Sequence, residues 1–182
     1  MNLTSLSNVK DFLNITDANS DTILNGYLET ISKYIEHFCN RVFDSATYTE
    51  YHSGDRSYRV FVKNPPIVCI TSVHDDTGRE YGITSLIDPT QYTFDSVAGI
   101  IKFDLQLSRW ENNIKVVYVG GYSSLPVDLE LAARLLVSAK WLEQQTTSNL
   151  VEKQGESRSE KYQKQAEEIL NLYRRLPYGI KL

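Results

Sequence analysis

Ile114-Lys115-Val116-Val117-Tyr118-Val119-Gly120-Gly121-Tyr122-Ser123-Ser124-Leu125-Pro126 passes from a β-branched and aromatic run, through paired glycines, to a proline. The run at 114–119 fits a strand, and the glycines end it by permitting backbone angles that a Cβ forbids. Pro126 can open a helix, where its missing N–H costs nothing, and Asp128 and Glu130 put negative charge at the positive end of that helix. As far as Gln145, Leu129, Ala132, Ala133, Leu136, Val137 and Lys140 share one face, and Leu131, Leu135, Ser138 and Leu142 form a second stripe beside it. So wide a stripe predicts a central helix contacted from two sides.

Upstream, Ser5 or Ser7 can cap a short helix in which Val9, Phe12 and Leu13 share a face. The polar stretch Thr16 to Asp21 caps a longer one. There Leu24, Leu28, Ile31, Ile35, Phe38 and Val42 recur at steps of four and three, with Tyr27 and Tyr34 widening the stripe. This helix is the expected packing partner of the Pro126 helix. After Arg41 the period becomes extended, with short strands predicted at Tyr48–His52, Tyr58–Lys63, Ile67–His74, Arg79–Tyr81, Gln91–Phe94 and Ile100–Asp104. Gly54, Pro65-Pro66, Asp75-Asp76-Thr77-Gly78 and Val97-Ala98-Gly99 mark the turns between them.

The fold class read from this order is α+β, mainly α: a helical bundle with a β-rich insertion between the first long helix and the central helix. A separate β subdomain is the alternative architecture. Residues 1–145 form the bundle domain, with the insertion at 46–119. Residues 146–182 form a mobile loop, polar from Thr146 to Ser159, followed by a C-terminal docking helix. That helix, Glu160 to Leu176, carries a narrow stripe of Tyr162, Ala166, Ile169, Leu170 and Tyr173 and is stopped by Pro177-Tyr178-Gly179. An isolated helix this short needs burial to persist, so its stripe is expected to dock on a partner.

The 182 residues carry 41% hydrophobic and 23% charged side chains, ordinary for a globular chain. A net charge of -4 gives no general basic footprint for nucleic acid. Cys39 and Cys69 are too few and too far apart for a disulfide framework or a zinc motif. No run approaches the ~20 apolar residues that cross a bilayer, and the start has no basic-then-apolar leader pattern, which predicts a chain made in a cytoplasm without a membrane partner.

Candidate chemistry is sparse. Gly120-Gly121-Tyr122 lacks the Lys-Ser/Thr ending of a phosphate loop and the spacing of a dinucleotide fingerprint. His37 and Cys39 point to different helix faces, a poor start for shared metal ligation. His74 with Asp75 and Asp76, and His52 with Asp55, could supply bases and carboxylates, but no nucleophile accompanies them. The residues thus predict no catalytic, cofactor or metal site. Two other classes stay open: a small enzyme with its site near the β-rich region, and a nucleic-acid-binding module.

Taken together, Leu6-Ser7-Asn8-Val9-Lys10-Asp11-Phe12-Leu13, the Asp21–Phe43 helix ending in Asn40-Arg41-Val42-Phe43, the Tyr118-Val119-Gly120-Gly121-Tyr122 turn and Pro126-Val127-Asp128-Leu129-Glu130-Leu131-Ala132 resemble the head-tail connector, or adaptor, proteins of tailed bacteriophages. Gly155-Glu156-Ser157 and Leu176-Pro177-Tyr178 continue the likeness, which covers most of the chain. The resemblance implies a noncatalytic virion protein of the neck, with no cofactor. It implies a homo-oligomeric ring of about twelve subunits between the portal protein and a tail or head-closure protein. DNA would pass through its channel without sequence-specific binding. Tyr162, Ala166, Ile169, Tyr173, Leu176 and Tyr178 are the expected interaction residues.

Overall fold

The computed structural model describes residues 2–147 and 157–175. The chain divides into two compact units, one of Val42–Ser123 and one assembled from Met1–Arg41 with Ser124–Leu182.

The second unit is helical: α1 (Leu6–Leu13), α2 (Asp21–Cys39), α3 (Val127–Thr147) and α4 (Arg158–Tyr173). Ser5 opens α1, its hydroxyl accepting from Asn8 N at 3.1 Å. α1 and α2 both stop on an asparagine in the left-handed region, Asn14 at φ 55° and Asn40 at φ 51°, a conformation this side chain tolerates better than most. α4 starts with a reciprocal capping box between Ser157 and Glu160. α2 buries Leu24, Leu28, Ile31 and Ile35 as its period predicts, but the buried face continues through Ser32 and Cys39, leaving Tyr34 46% exposed. Val42 lies beyond the helix, which ends at Cys39.

α3 is packed by all three other helices and buries Leu129, Ala132, Ala133, Leu136 and Val137. Its first-turn acids also act as anchors. Glu130 Oε1 accepts from Thr4 Oγ1 at 2.8 Å and Asn8 Nδ2 at 2.9 Å, while Asp128 Oδ1 accepts from Tyr173 Oη at 2.7 Å. Carboxylates favoured by the helix dipole thereby tie down both α1 and the end of α4.

The other unit holds β1 (Ala46–Asp55), β2 (Arg59–Phe61), β3 (Ile67–Asp75), β4 (Tyr92–Asp95), β5 (Ile100–Phe103) and β6 (Arg109–Gly120). They form two three-stranded sheets, ordered β1-β6-β3 and β2-β5-β4, with every pairing antiparallel. One core lies between them: Val60, Tyr92, Ile101 and Phe103 from the smaller sheet meet Ile67, Val73, Ile114, Val116 and Tyr118 from the larger.

The mainly helical bundle expected from sequence is therefore corrected. The described residues are 42% helical and 28% strand, with the α-helices in one unit and the strands in the other. The strands outweigh their sequence signal because they close a hydrophobic core of their own instead of decorating a bundle. β6 also runs well upstream of its apolar half, since polar residues there still pair, Asp55 with Arg109 and Gly54 with Trp110. The strand expected at Arg79–Tyr81 does not form. Arg79 and Tyr81 take φ 61° and 51°, and the backbone N–H groups of Gly78, Glu80 and Tyr81 donate to the Asp76 carboxylate, folding the segment into a turn.

Candidate assembly surface

The residues singled out for chemistry are dispersed into structural roles. Gly121 sits at φ 87°, and a Cβ there would stand 2.1 Å from Asp44 O. Gly120 does not need that conformation, but a Cβ on it would stand 2.4 Å from Asn64 O. This glycine pair is thus a close crossing of two backbones, where Tyr122 N donates to Phe43 O at 2.9 Å. His37 is exposed on α2, whereas Cys39 is buried, and burial pushes its thiol up to about 11 against the opposing pull of Arg41 and Arg174. His74 Nδ1 lies 3.3 Å from Ser85 Oγ. Asp75 accepts from Ser108 N at 2.7 Å and from Asn113 Nδ2 at 2.6 Å. Among the described residues, no three His, Cys, Asp or Glu side chains gather in a way that could hold a metal ion.

The most developed polar cluster is inside the β unit. Glu50 on β1 accepts from Tyr118 Oη at 2.5 Å and from Lys63 N at 3.0 Å, and its other oxygen lies 3.1 Å from His52 Nε2. Tyr118 Oη in turn accepts from Asn64 N at 3.0 Å, and Asn64 Oδ1 accepts from Val42 N at 2.8 Å. Burial raises the Glu50 carboxyl, but the hydrogen bonds from His52, Tyr118 and Lys63 outweigh it and hold the group below the usual carboxylate range. Burial and the neighbouring Glu50 carboxylate push the Tyr118 phenol well above its ordinary range. Each member has a partner, and the cluster fixes β1, β6 and the loop before β3 together.

The outer faces of the two sheets carry exposed side chains. On the larger sheet the cross-strand rows include Thr47–Val119–Cys69 and Tyr51–Lys115–His74. There the Tyr51 ring, 52% exposed, lies 5.4 Å from that of Tyr81, and Lys115 Nζ stands 5.5 Å above the Tyr81 ring. On the smaller sheet the rows are Arg59–Lys102–Thr93 and Phe61–Ile100–Asp95, with Phe61 exposed. Beside them Ile67 N donates to Ser96 O at 2.9 Å, bringing together the segments that carry the exposed Val68 and Val97. Because the inner faces share one core, these outer faces lie on opposite sides of the β unit. Sequence reading found the strands but gave no face to Phe61, Val68, Val97 or Trp110; the alternation of Phe61 with buried Val60 and Val62 was the available signal.

The stripe expected to wait for a partner is met within the chain. Ala166 and Leu170 are fully buried, the Tyr162 ring lies tilted 5.4 Å from that of Phe12, and Tyr173 donates to Asp128 on α3. Ile169 and Tyr173 are half-buried, and Leu172 on the far side of α4 is 79% exposed. Leu176 and Tyr178 lie outside the described residues, as do 148–156 of the expected mobile loop and the Gly155-Glu156 part of the family likeness.

The sequence pattern of a family described as head completion protein matches residues 2–176. No curated protein matches the sequence. Among solved structures, a chain in the neck of an empty gene transfer agent (GTA) particle, computed with C6 symmetry, aligns with a TM-score of 0.57 at 16% identity, covering 95% of this chain and 91% of that one. A chain in the neck of the native GTA particle, computed with C12 symmetry, aligns with a TM-score of 0.55 at 17% identity over 94% of this chain and 91% of that chain. A chain of the native GTA virion gives a TM-score of 0.52 at 16% identity, over 91% and 84%. At these identities the likeness is one of fold.

Proposed function

The chain belongs to the head completion protein family, and from that premise we propose that it is a structural head-tail connector of the virion neck, working as one subunit of a closed ring. The ring is seated on the portal protein and followed by a tail or head-closure protein. Viral DNA passes through it, and the subunit performs no catalysis and needs no cofactor.

The observation that carries this reading is the pair of outer faces on opposite sides of the β unit, one built on Thr47, Val119 and Tyr51 of the larger sheet, the other on Arg59, Phe61 and Lys102 of the smaller, with the exposed Val97 in the turn beside it. A cyclic ring joins subunits head to tail, so each copy needs two different surfaces facing away from each other. The neck structures that share the fold were computed with C6 and C12 symmetry, so six or twelve copies are the expected closures. The net charge of -4 favours passage of DNA over retention, since tight phosphate binding needs clustered cations. Docking onto the neighbouring neck proteins falls to the C-terminal segment: Ala166 fixes α4 to its own unit, and Leu176 and Tyr178 engage the partner beyond it, with Tyr162, Ile169 and Tyr173 at the margin of that contact.

Electron microscopy of particles carrying this chain tests the reading. A closed ring of the chain between portal and tail is expected. A single copy per neck, or none, would refute it. Phe61→Asp with Val97→Asp, in a subunit that melts like the parent, should abolish incorporation into particles.

A further inference from the structure

The edges of the two sheets are unequal. Those of the smaller sheet, β2 and β4, are three and four residues long. In the larger sheet β3 shifts register twice, between Ile67 and Cys69 and between Ile70 and Ser72. Its outer side is also partly taken, since Ile67 N donates to Ser96 O and Ile87 N donates to Val73 O, each at 2.9 Å. Shortness, bulges and cover are the means by which sheet edges are kept from pairing with another chain. β1, the other edge of the larger sheet, lacks them from Ala46 to His52, where seven residues keep unbroken register with β6 and none is lysine, arginine or proline.

Three hydrogen bonds fix which backbone groups of β1 face outward. Asn113 O accepts from Asp76 N and Gly121 N donates to Pro66 O, both on the β3 side of β6, whereas Tyr122 N donates to Phe43 O on the β1 side. Neighbouring residues of a strand aim at opposite edges, so Ile114, Val116, Tyr118 and Gly120 bond to β1, through their partners His52, Glu50, Tyr48 and Ala46. The N–H and C=O groups of Thr47, Thr49 and Tyr51 therefore point away from the sheet, and no hydrogen bond to them exists among the described residues.

A second copy of β1 fits this edge in one register. Antiparallel pairing about a two-fold axis at Thr49 sets Thr49 opposite the partner's Thr49 and Thr47 opposite the partner's Tyr51. Every outward N–H of one copy then meets an outward C=O of the other. Glu50 stands opposite the partner's Tyr48, and Thr–Thr and aromatic–β-branched pairs are favourable across strands. An axis at Glu50 would set two carboxylates against each other, and an axis at Tyr48 would leave Tyr51 opposite Ser45, outside the strand.

We propose that two free subunits pair through β1 in this register, joining their larger sheets into one of six strands. A two-fold contact closes at two copies, whereas a ring joins its subunits head to tail. The pair thus belongs to the subunit before it enters a ring, and it hides an edge that otherwise invites unspecific strand addition. Its place before the ring rests on the proposed function, whereas the pairing itself does not.

Disulfide capture and sedimentation of the isolated full-length chain test the pairing. In a Cys69→Ser background, Thr49→Cys brings two thiols together across the axis, with Cα atoms about 5.5 Å apart. Thr47→Cys sets its two thiols about 14 Å apart along the strands. Mild oxidation is expected to link two chains at least about tenfold faster in the first variant, and equal rates would overturn the proposal. In sedimentation the parent should pass from monomer to dimer as concentration rises. Thr49→Lys, which puts two ammonium groups at the axis, should weaken that association at least about tenfold. A parent still monomeric at about 1 mM, or a dimer indifferent to Thr49→Lys in a protein that melts like the parent, would likewise overturn it. Both readouts use free subunits, so they can fail while rings form in particles, and the reverse.

Discussion

Tyr118 and Glu50 face each other diagonally across the β1–β6 pair, the phenol donating to the carboxylate at 2.5 Å while accepting from Asn64 N. Tyr118 is fully buried, so without its hydroxyl Asn64 N would lose its acceptor and the Glu50 carboxylate would keep Lys63 N and His52 but lose a donor. Tyr118→Phe removes one donor and one acceptor at once. Leaving such groups unsatisfied costs about 1–3 kcal/mol, and urea unfolding followed by circular dichroism should show a loss of that size. Stability equal to the parent would mean that water replaces the hydroxyl.

The same carboxylate makes the β unit sensitive to acid. The Glu50 pKa is lowered in the folded state, so its contribution is present above the unfolded carboxyl value and is lost as pH falls through the folded one. Thermal melting from neutral pH downward should show a drop below the usual carboxylate range that Glu50→Gln makes shallower. An identical acid slope in the two proteins would assign the effect to other groups.

Two glycines should respond with opposite signs. Gly121→Ala places a Cβ against Asp44 O in left-handed backbone and should destabilise by more than about 1 kcal/mol. Gly26 lies on the exposed side of α2 with nothing within 4 Å of its missing Cβ, so Gly26→Ala should stabilise by about 0.5–1 kcal/mol. Midpoints of urea unfolding read both, and a shared sign would contradict the assignment.

Leu170→Ala measures whether α4 belongs to the fold of its own subunit. The side chain is fully buried, and truncating such a leucine costs about 2–5 kcal/mol. Leu172→Ala, two residues on and mostly exposed, should stay within about 0.5 kcal/mol of the parent. Equal, small effects at both sites in a verified monomer would mean that α4 is loose until it meets a partner.

Where local rules act alone, the chain is readable. Ser5 caps α1, Pro126 precedes α3, and the four-three steps from Leu24 to Ile35 mark the buried face of α2. Misreadings arise where distant residues decide. Tyr34 and Phe38 continue the apolar spacing, yet neighbouring helices cover the Ser32–Cys39 side, and spacing alone cannot tell two adjacent stripes apart. The polar start of β6 becomes strand because Asp55 and Gly54 are there to pair with it. The α4 stripe is visible in the sequence, but its destination is not, since Phe12 and Asp128 lie far away along the chain. The open faces of the sheets depend on which strands pair, which no single segment encodes.

The close crossing at Phe43 and Tyr122 has an evolutionary corollary. The β unit leaves and re-enters the chain through two backbones within hydrogen-bond distance, so it behaves as a cassette with adjacent ends. Excising it would leave a gap that a short turn could close, and a larger or smaller cassette could be exchanged at the same place without changing the path of the four helices. Lineages using this fold are free to diversify the cassette by recombination at one locus while the helical part is inherited unchanged.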